Sequence, residues 1–473
     1  MFNRKRFIVS SLFTIFVLVI VTLMIVGLAT GHSSAFLKIV VALPITVIAV
    51  DGGDRVLRYF IEVKRLRTQL KMRQKTGEVP TGLKPYLEVV GRDRDSDEME
   101  EFELKPYRVV AAVYNIADEW EQILENLAPF RDKLFLIDDA SPDDTYELVK
   151  ASGVEIIRNP ENTNKPGAIF YGVQHLPPEV ETVLVMDPDV LLPDRLSVER
   201  MLYDFQRSGA GGAAVNVLPE RPKKHPRALL FQCQAIEYEL AMYCGRDIPH
   251  NFVFVSGAFG IYNRQAHEAG LARSSRSVYA EDFETSIMIM EDGWRTYFDN
   301  RVLVRTDVPD SLYKFTMQRM GWYFGLIKVA LASAIKIRKC KDPFLRYQFY
   351  FYNLGLTVFF HPFRVAAMLT LLMSIFGYAF GWISPAIARY QVLPIYLIVF
   401  VMLFYQFLAL DAFVGSLTLD GRDFGVVLFY PLFMIYQVFI PITIGYLNYI
   451  TWMLIGRKVI KDPYGPKKKQ RKP

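Results

Sequence analysis

The chain has 473 residues, of which 52% are hydrophobic and 22% charged, with a formal net charge of +6. This length allows about two to four domains of roughly 100–200 residues, the composition excludes long disorder, and uncharged apolar runs as long as a membrane span exclude a simple soluble globule. The basic residues gather beside those runs, a pattern that orients membrane spans rather than binding nucleic acid.

The first element, residues 1–52, is predicted to be a transmembrane hairpin. Phe7–Ala29 is an uncharged run of 23 residues, enough to cross ~30 Å of hydrocarbon and longer than the core of a cleaved signal peptide. A short loop leads to a second apolar stretch, Ala35–Val50, in which Lys38 can snorkel. Arg4, Lys5 and Arg6 precede the first span, and Arg55, Arg58, Lys64, Arg65, Arg67, Lys71, Arg73 and Lys75 follow the second. Positive charge on both flanks places both in the cytosol. Residues 53–106 read as a basic segment, solvated or lying on anionic headgroups, followed by a charged linker rich in Gly and Pro.

Residues 107–311 change character to soluble α/β. Tyr107–Val113 (YRVVAAV), Leu134–Ile137, Val154–Ile157 and Thr182–Met186 (TVLVM) read as buried strands. Helical spacing falls on Ala117–Phe130 and Lys165–His175, and Ser141-Pro142 reads as the capped start of another helix. Phe252–Val255 reads as a further strand. This alternation predicts a mostly parallel sheet. Ligands bind at the carboxyl ends of such strands, where Asp138-Asp139 and Asp187-Pro188-Asp189 fall.

Residues 312–364 are amphipathic and aromatic, and residues 365–456 contain the uncharged runs Val365–Trp382, Val392–Leu410 and Phe424–Ile455. The last run has 32 residues, ~48 Å as one helix, which is long for one upright span and short for two. Pro431 and Pro441 offer places to break it, so five or six spans remain open. The tail, residues 457–473, carries Lys461, Lys467, Lys468, Lys469, Arg471 and Lys472, which favours a cytosolic C-terminus and hence an even number of crossings. The three cysteines (Cys233, Cys244, Cys340) form no CxxC pair, the six histidines show no paired metal spacing, and GxxxxGK and GxGxxG motifs are missing. A disulfide framework, a zinc site, an NTPase and a dinucleotide enzyme are therefore not expected.

The chemistry-bearing residues form an ordered series. It runs Val113-Tyr114-Asn115, Asp138-Asp139-Ala140-Ser141, Lys165-Pro166-Gly167-Ala168, Asp187-Pro188-Asp189, Ser256-Gly257-Ala258, Glu281-Asp282, Thr306-Asp307-Val308-Pro309 and Gln318-Arg319-Met320-Gly321-Trp322. Over roughly 107–325 this series resembles the family 2 glycosyltransferases, and on its membrane frame the processive branch of cellulose, chitin and hyaluronan synthases. The resemblance implies a GT-A-type nucleotide-sugar-binding domain, α/β with a mostly parallel sheet, inserted between α-helical transmembrane segments.

Two carboxylates just past a strand end, Asp187 and Asp189, suit an oxygen-ligated Mg²⁺ or Mn²⁺. The resemblance implies that Asp189 is the more direct ligand and that the ion meets the diphosphate of a UDP-sugar. It also assigns Asp139 to the uracil, with Asp138 secondary and Tyr114 near the base. Lys165 is expected at a phosphate or ribose oxygen, or else as a plain surface lysine. Glu281-Asp282 lies at a helix N-terminus, where negative charge is favoured. By resemblance Asp282 is the general base that deprotonates the acceptor hydroxyl, which implies a single inverting displacement. The last motif matches the family's Q-x-x-R-W at its ends, but Gly321 stands where the arginine is usual. Gln318 and Arg319 are then the candidates for the diphosphate, and Trp322 for stacking on an acceptor sugar. Ser256 and Gly257 either line the acceptor pocket or only allow tight packing.

The expected protein is a multi-pass cytoplasmic-membrane hexosyltransferase with its catalytic domain and both termini in the cytosol. It uses a UDP-sugar to extend a polysaccharide that leaves through its own spans. Its partners are the donor, a polysaccharide or lipid-linked acceptor and membrane lipids, not nucleic acid; an accessory export subunit or a homo-oligomer is left open. The alternatives are transfer of one sugar to a lipid carrier, which Gly321 favours, and a transporter or scaffold with an inactive domain. Against the transporter, Lys38 is the only ionisable residue in the main apolar runs.

Overall fold

The computed structural model describes residues 103–245, 254–275, 279–339 and 416–456, with short pieces between 346 and 414 and at Ile460. The expected spans at 7–29 and 35–50, the basic segment, nearly all of the linker, most of 365–410 and the tail lie outside the described residues. The chain divides into two compact units, residues 1–83 with 350–443, and residues 84–349 with 444–473.

The second unit is built on a seven-stranded sheet. Its strands are β1 (Tyr107–Val113), β2 (Leu134–Asp138), β3 (Glu155–Arg158), β4 (Thr182–Met186), β5 (Gly212–Pro219), β6 (Phe259–Asn263) and β7 (Thr296–Thr306). They lie in the order β3-β2-β1-β4-β6-β5-β7. The first four are mutually parallel. β6 runs antiparallel between β4 and β5, and β7 pairs parallel with β5. The helices are α1 (Trp120–Leu127), α2 (Thr145–Ala151), α3 (Asn164–Gln174), α4 (Arg195–Ser208), α5 (Leu229–Gly245), α6 (Arg264–Arg273), α7 (Glu281–Glu291) and α8 (Leu312–Ser333).

The apolar strand runs follow from burial of both sheet faces. Val109, Ala111 and Val113 of β1 face a core with Val198, Met201, Leu202 and Phe205 of α4. Val110, between them, faces the opposite core with Ala168, Ile169 and Val173 of α3 and Ile289 of α7. That is the two-residue strand period.

Two local expectations are corrected. Ser141 does not cap a helix: its Oγ accepts the Asn115 N–H at 2.9 Å, and α2 begins four residues later behind Asp144. Phe254-Val255 is not strand, because the Val255 N–H donates to Ser286 Oγ of α7 at 2.9 Å. The strand there is β6, and Ser256-Gly257-Ala258 precedes it.

Farther on, Val426–Ile455 is one 30-residue helix and the one element among the described residues long and apolar enough to cross a membrane. It consists of α9 (Val426–Gln437), a π-helical turn at Val438–Ile442 and α10 (Thr443–Ile455). Pro431 and Pro441 do not break it into a hairpin. The wider π turn takes up Pro441, and Thr443 Oγ1 donates to the Val438 carbonyl at 3.1 Å. Within the second unit, α10 packs on α8 through Phe324 and Trp452, whose rings meet edge-to-face at 6.0 Å. Buried Asn448 is satisfied there by the Ile460 N–H at 3.0 Å.

Candidate active site

The site grows from the carboxyl ends of β1, β2 and β4. At the end of β1, Tyr114 is 41% exposed, a free-standing ring beside Asn115. Asp139, just past β2, is buried. Its Oδ1 accepts Asn159 Nδ2 at 2.8 Å and the Thr163 N–H at 2.9 Å, which aims the carboxylate. Asp138 serves the frame instead: it accepts the Ser141 N–H at 3.1 Å and pairs with Arg158 at 3.2 Å.

Past β4, the Asp187 N–H donates to the Ala258 carbonyl at 3.0 Å, because β6 starts beside the end of β4. The Asp187 carboxylate meets Lys165 Nζ at 2.5 Å, and the same ammonium donates to the Gly257 carbonyl at 2.6 Å. The Gly257 N–H in turn donates to Asp282 Oδ2 at 2.9 Å, while Asp282 Oδ1 accepts the Phe283 N–H at 2.8 Å. A Cβ on Gly257 would lie 3.4 Å from both Glu281 and Asp282 and 3.5 Å from Lys165 Nζ. Asp187, Lys165, Gly257, Glu281 and Asp282 are thus one cluster, assembled from α3, the end of β4, the loop before β6 and the start of α7. Ser256 is alongside, its Oγ accepting the Ala258 N–H at 3.3 Å.

Charge crowding shows in the titration of these groups. Burial, then the charge of Asp282, raises the Glu281 carboxyl to about 8. Partial loss of solvent, then Asp187 and more weakly Asp307, raise Asp189 to about 6. Burial opposes the charge on Lys165, but Asp187, Glu281 and Asp282 together hold its pKa above the ordinary value. Beneath the cluster, burial and then the charges of Asp282 and Glu281 push the Tyr262 phenol well up.

Four non-glycine residues among those described adopt positive φ: Asn115, Ala140, Asn164 and Ala280. Each sits where a strand or loop turns into this rim, and such conformations cost about 1–2 kcal/mol apiece.

The last motif is placed differently. Arg319 is 1% exposed and pairs with Glu237 of α5 at 2.7 Å. Its guanidinium also donates to Gln318 Oε1 at 2.5 Å and lies 4.0 Å from the Trp322 ring centroid. These partners belong to α5 and α8 rather than to the Asp187 cluster. Trp322 remains 42% exposed, a flat face backed by a cation. Asn159, Thr163 and Glu237 were not singled out in the sequence. A polar pair following a strand, N-x-x-x-T, is the only hint of the first two; Glu237 gives none.

Among the described residues no group of three or more His, Cys, Asp or Glu side chains is placed to hold a metal ion by itself. Asp187 and Asp189 nonetheless fit one. They are two carboxylates whose mutual repulsion a cation would relieve, and Mg²⁺ is commonly held by one or two carboxylates plus substrate phosphates.

Residues 109–271 match the family model described as Glycosyl transferase family 2. This stretch is thus similar to the glycosyltransferase family 2 domains, and its own fold is α/β with a mostly parallel sheet. The chain is 25% identical over 187 residues to an N-acetylglucosaminyltransferase of Azorhizobium caulinodans, covering 37% of this chain and 45% of that protein. The match therefore spans less than half of that relative. A mannosyltransferase from Pyrobaculum calidifontis, solved with GDP-Man and Mn²⁺, aligns over 76% of this chain and 96% of its own, at 18% identity and a TM-score of 0.49. Glucosyl-3-phosphoglycerate synthase from Mycobacterium tuberculosis, solved with UDP, aligns over 50% and 81%, at 16% identity and a TM-score of 0.29.

Proposed function

We propose that the protein is an inverting, metal-dependent hexosyltransferase of the membrane that moves sugar from a UDP-sugar to a growing polysaccharide. The observation that carries this reading is the hydrogen-bonded line Asp187–Lys165–Gly257–Asp282. It sets a carboxylate suited to a metal ion and an ammonium suited to a diphosphate beside a half-buried acid pair. Tyr114 and Asp139 take the base, and Lys165 turns from Asp187 to a phosphate oxygen. Asp187 and Asp189 would hold Mg²⁺ or Mn²⁺, which when bound neutralises the leaving diphosphate. Asp282 accepts the proton of the acceptor hydroxyl as its oxygen bonds to the anomeric carbon. The bond from that carbon to the phosphate oxygen breaks, and the nucleoside diphosphate leaves from the opposite face. Trp322 offers a stacking face to the acceptor.

The apolar runs and their basic flanks support a multi-pass cytoplasmic-membrane location with export through the protein's own spans. A second reading, transfer of one sugar to a lipid carrier, is favoured by Gly321, which replaces the family's arginine. The test incubates membranes holding the protein with a panel of UDP- and GDP-sugars and Mn²⁺, with and without EDTA. Metal-dependent polymer from one UDP-sugar is expected. A single-sugar lipid product would select the second reading, and no transfer from any donor would sink both.

A further inference from the structure

α8 carries two glycines one turn apart, Gly321 and Gly325, on one face. Both are occupied by the same residue. A Cβ at Gly321 would stand 2.4 Å from Tyr279 Cε1 and 2.7 Å from its Cζ. A Cβ at Gly325 would stand 2.6 Å from the Tyr279 carbonyl oxygen and 2.7 Å from its carbonyl carbon. The first glycine seats the ring and the second seats the backbone. Tyr279 is followed at once by Ala280, at φ 60° and ψ 30°, which turns the chain into α7. Glu281 and Asp282 are the next two residues. On the other side Asp282 is held by the Gly257 N–H, and Ser286 Oγ donates to the Asp282 carbonyl at 2.7 Å. Farther along α7, Glu284 accepts the Ser275 N–H at 2.9 Å and so ties Ser275 to the same helix.

We infer that Tyr279 is a positioning residue for the acid pair, and that Gly321 departs from the usual arginine because the tyrosine ring fills that space. The inference rests on the transferase reading above and deepens it. The seat sets where Asp282 stands relative to the acceptor hydroxyl. Tyr114, Asp139 and Lys165, the groups proposed for the nucleotide, stand on other elements, past β1, past β2 and on α3.

Two patterns distinguish the two glycines. At Gly321 a methyl group collides with a ring, so removing the ring removes the collision. At Gly325 it collides with backbone, so no change of the 279 side chain can relieve it.

The test uses the full chain in detergent, with kcat, donor KM, UDP affinity and thermal midpoint measured for each variant. Gly321→Ala is expected to lower kcat about 10²-fold, as a misplacement of about 1 Å does, with donor KM and UDP affinity within about threefold of the parent. Tyr279→Phe keeps the ring and should stay within about twofold. The double variant Gly321→Ala/Tyr279→Ala should be no worse than Tyr279→Ala alone, both in kcat and in thermal midpoint, because the two changes share one contact. Gly325→Ala should stay impaired whatever residue stands at 279. Should Gly321→Ala not fold, its rescue by Tyr279→Ala still reports the shared contact. Near-parental kcat in Gly321→Ala, or strictly additive losses in the double variant, would overturn the inference while leaving the transferase reading intact. A parent inactive on every donor overturns the transferase reading, and with it the positioning role.

Discussion

Asp282 has both carboxylate oxygens on backbone N–H groups, from Gly257 and Phe283. Those bonds orient it for the general-base role. Asp282→Asn keeps the size and loses the proton acceptor, so turnover should fall ~10²–10⁴-fold. UDP affinity should be nearly unchanged, because Asp139 and Lys165 are untouched. Initial rates and a UDP titration read both, and retention of more than about a tenth of the rate would place the base elsewhere. Asp189→Asn should weaken metal-dependent UDP binding as well. Glu281 makes a different prediction, about stability. Its folded-state carboxyl titrates near 8, against an ordinary value of 4.5. Between those values the folded chain holds a proton that the unfolded chain has lost, so this group makes stability fall as pH rises through that window. Glu281→Gln removes the effect. Its thermal midpoint should exceed the parent's at pH 8, where the stability difference is on the order of a few kcal/mol at most, and match it near pH 4.5. Parallel melting curves across that range would contradict the assignment.

At the scale of elements, Ala280 opens α7 in the left-handed region, where a Cβ is strained. Ala280→Gly relieves about 1–2 kcal/mol of strain and gives back about 0.4–1 kcal/mol in unfolded-chain entropy. A modest rise in thermal midpoint is expected, and a fall would mean the turn is not strained. β1 and β4 were legible to the residue in the sequence, because central parallel strands buried on both faces are unbroken apolar runs. β5 and β7 did not stand out. β5 begins with the small residues Gly212, Ala213 and Ala214, and β7 is interrupted where the register jumps from Val215↔Asp299 to Asn216↔Leu303. The start of α2 was misplaced because Ser141 is claimed by Asn115, 26 residues away. The candidate acids were legible as motifs at strand and helix ends. The Arg319–Glu237 pair was not, because its partners are 82 residues apart and no local pattern links them.

At the scale of the whole molecule, the basic residues Arg4–Arg6 and Lys467–Lys472 flank the terminal apolar runs. Both termini are proposed to face the cytosol. A C-terminal tag should therefore survive external protease in intact cells and be cut only after permeabilisation. Cleavage from outside would reverse the orientation. On that proposal the single helix Val426–Ile455, long and apolar enough for one crossing, would contribute one passage rather than a hairpin, and the crossing count would depend on the runs before it.

The reversed strand β6 has a bearing on how the molecule assembles. β1, β2 and β3 pair with their neighbours in sequence, and β4 returns to β1 before β5 and β6 are reached, so the half that holds Asp139, Lys165 and Asp187 can form without the later strands. The acid half cannot. Gly257 reaches Lys165 across 92 residues, and it arrives only when β6 inserts between β4 and β5. Contacts of such sequence separation form late, after the loop entropy has been met. During synthesis the chain should therefore pass through a stage that can hold a nucleotide but not yet transfer a sugar. On the proposed function, the ability to react would then arrive as a separate, later folding event.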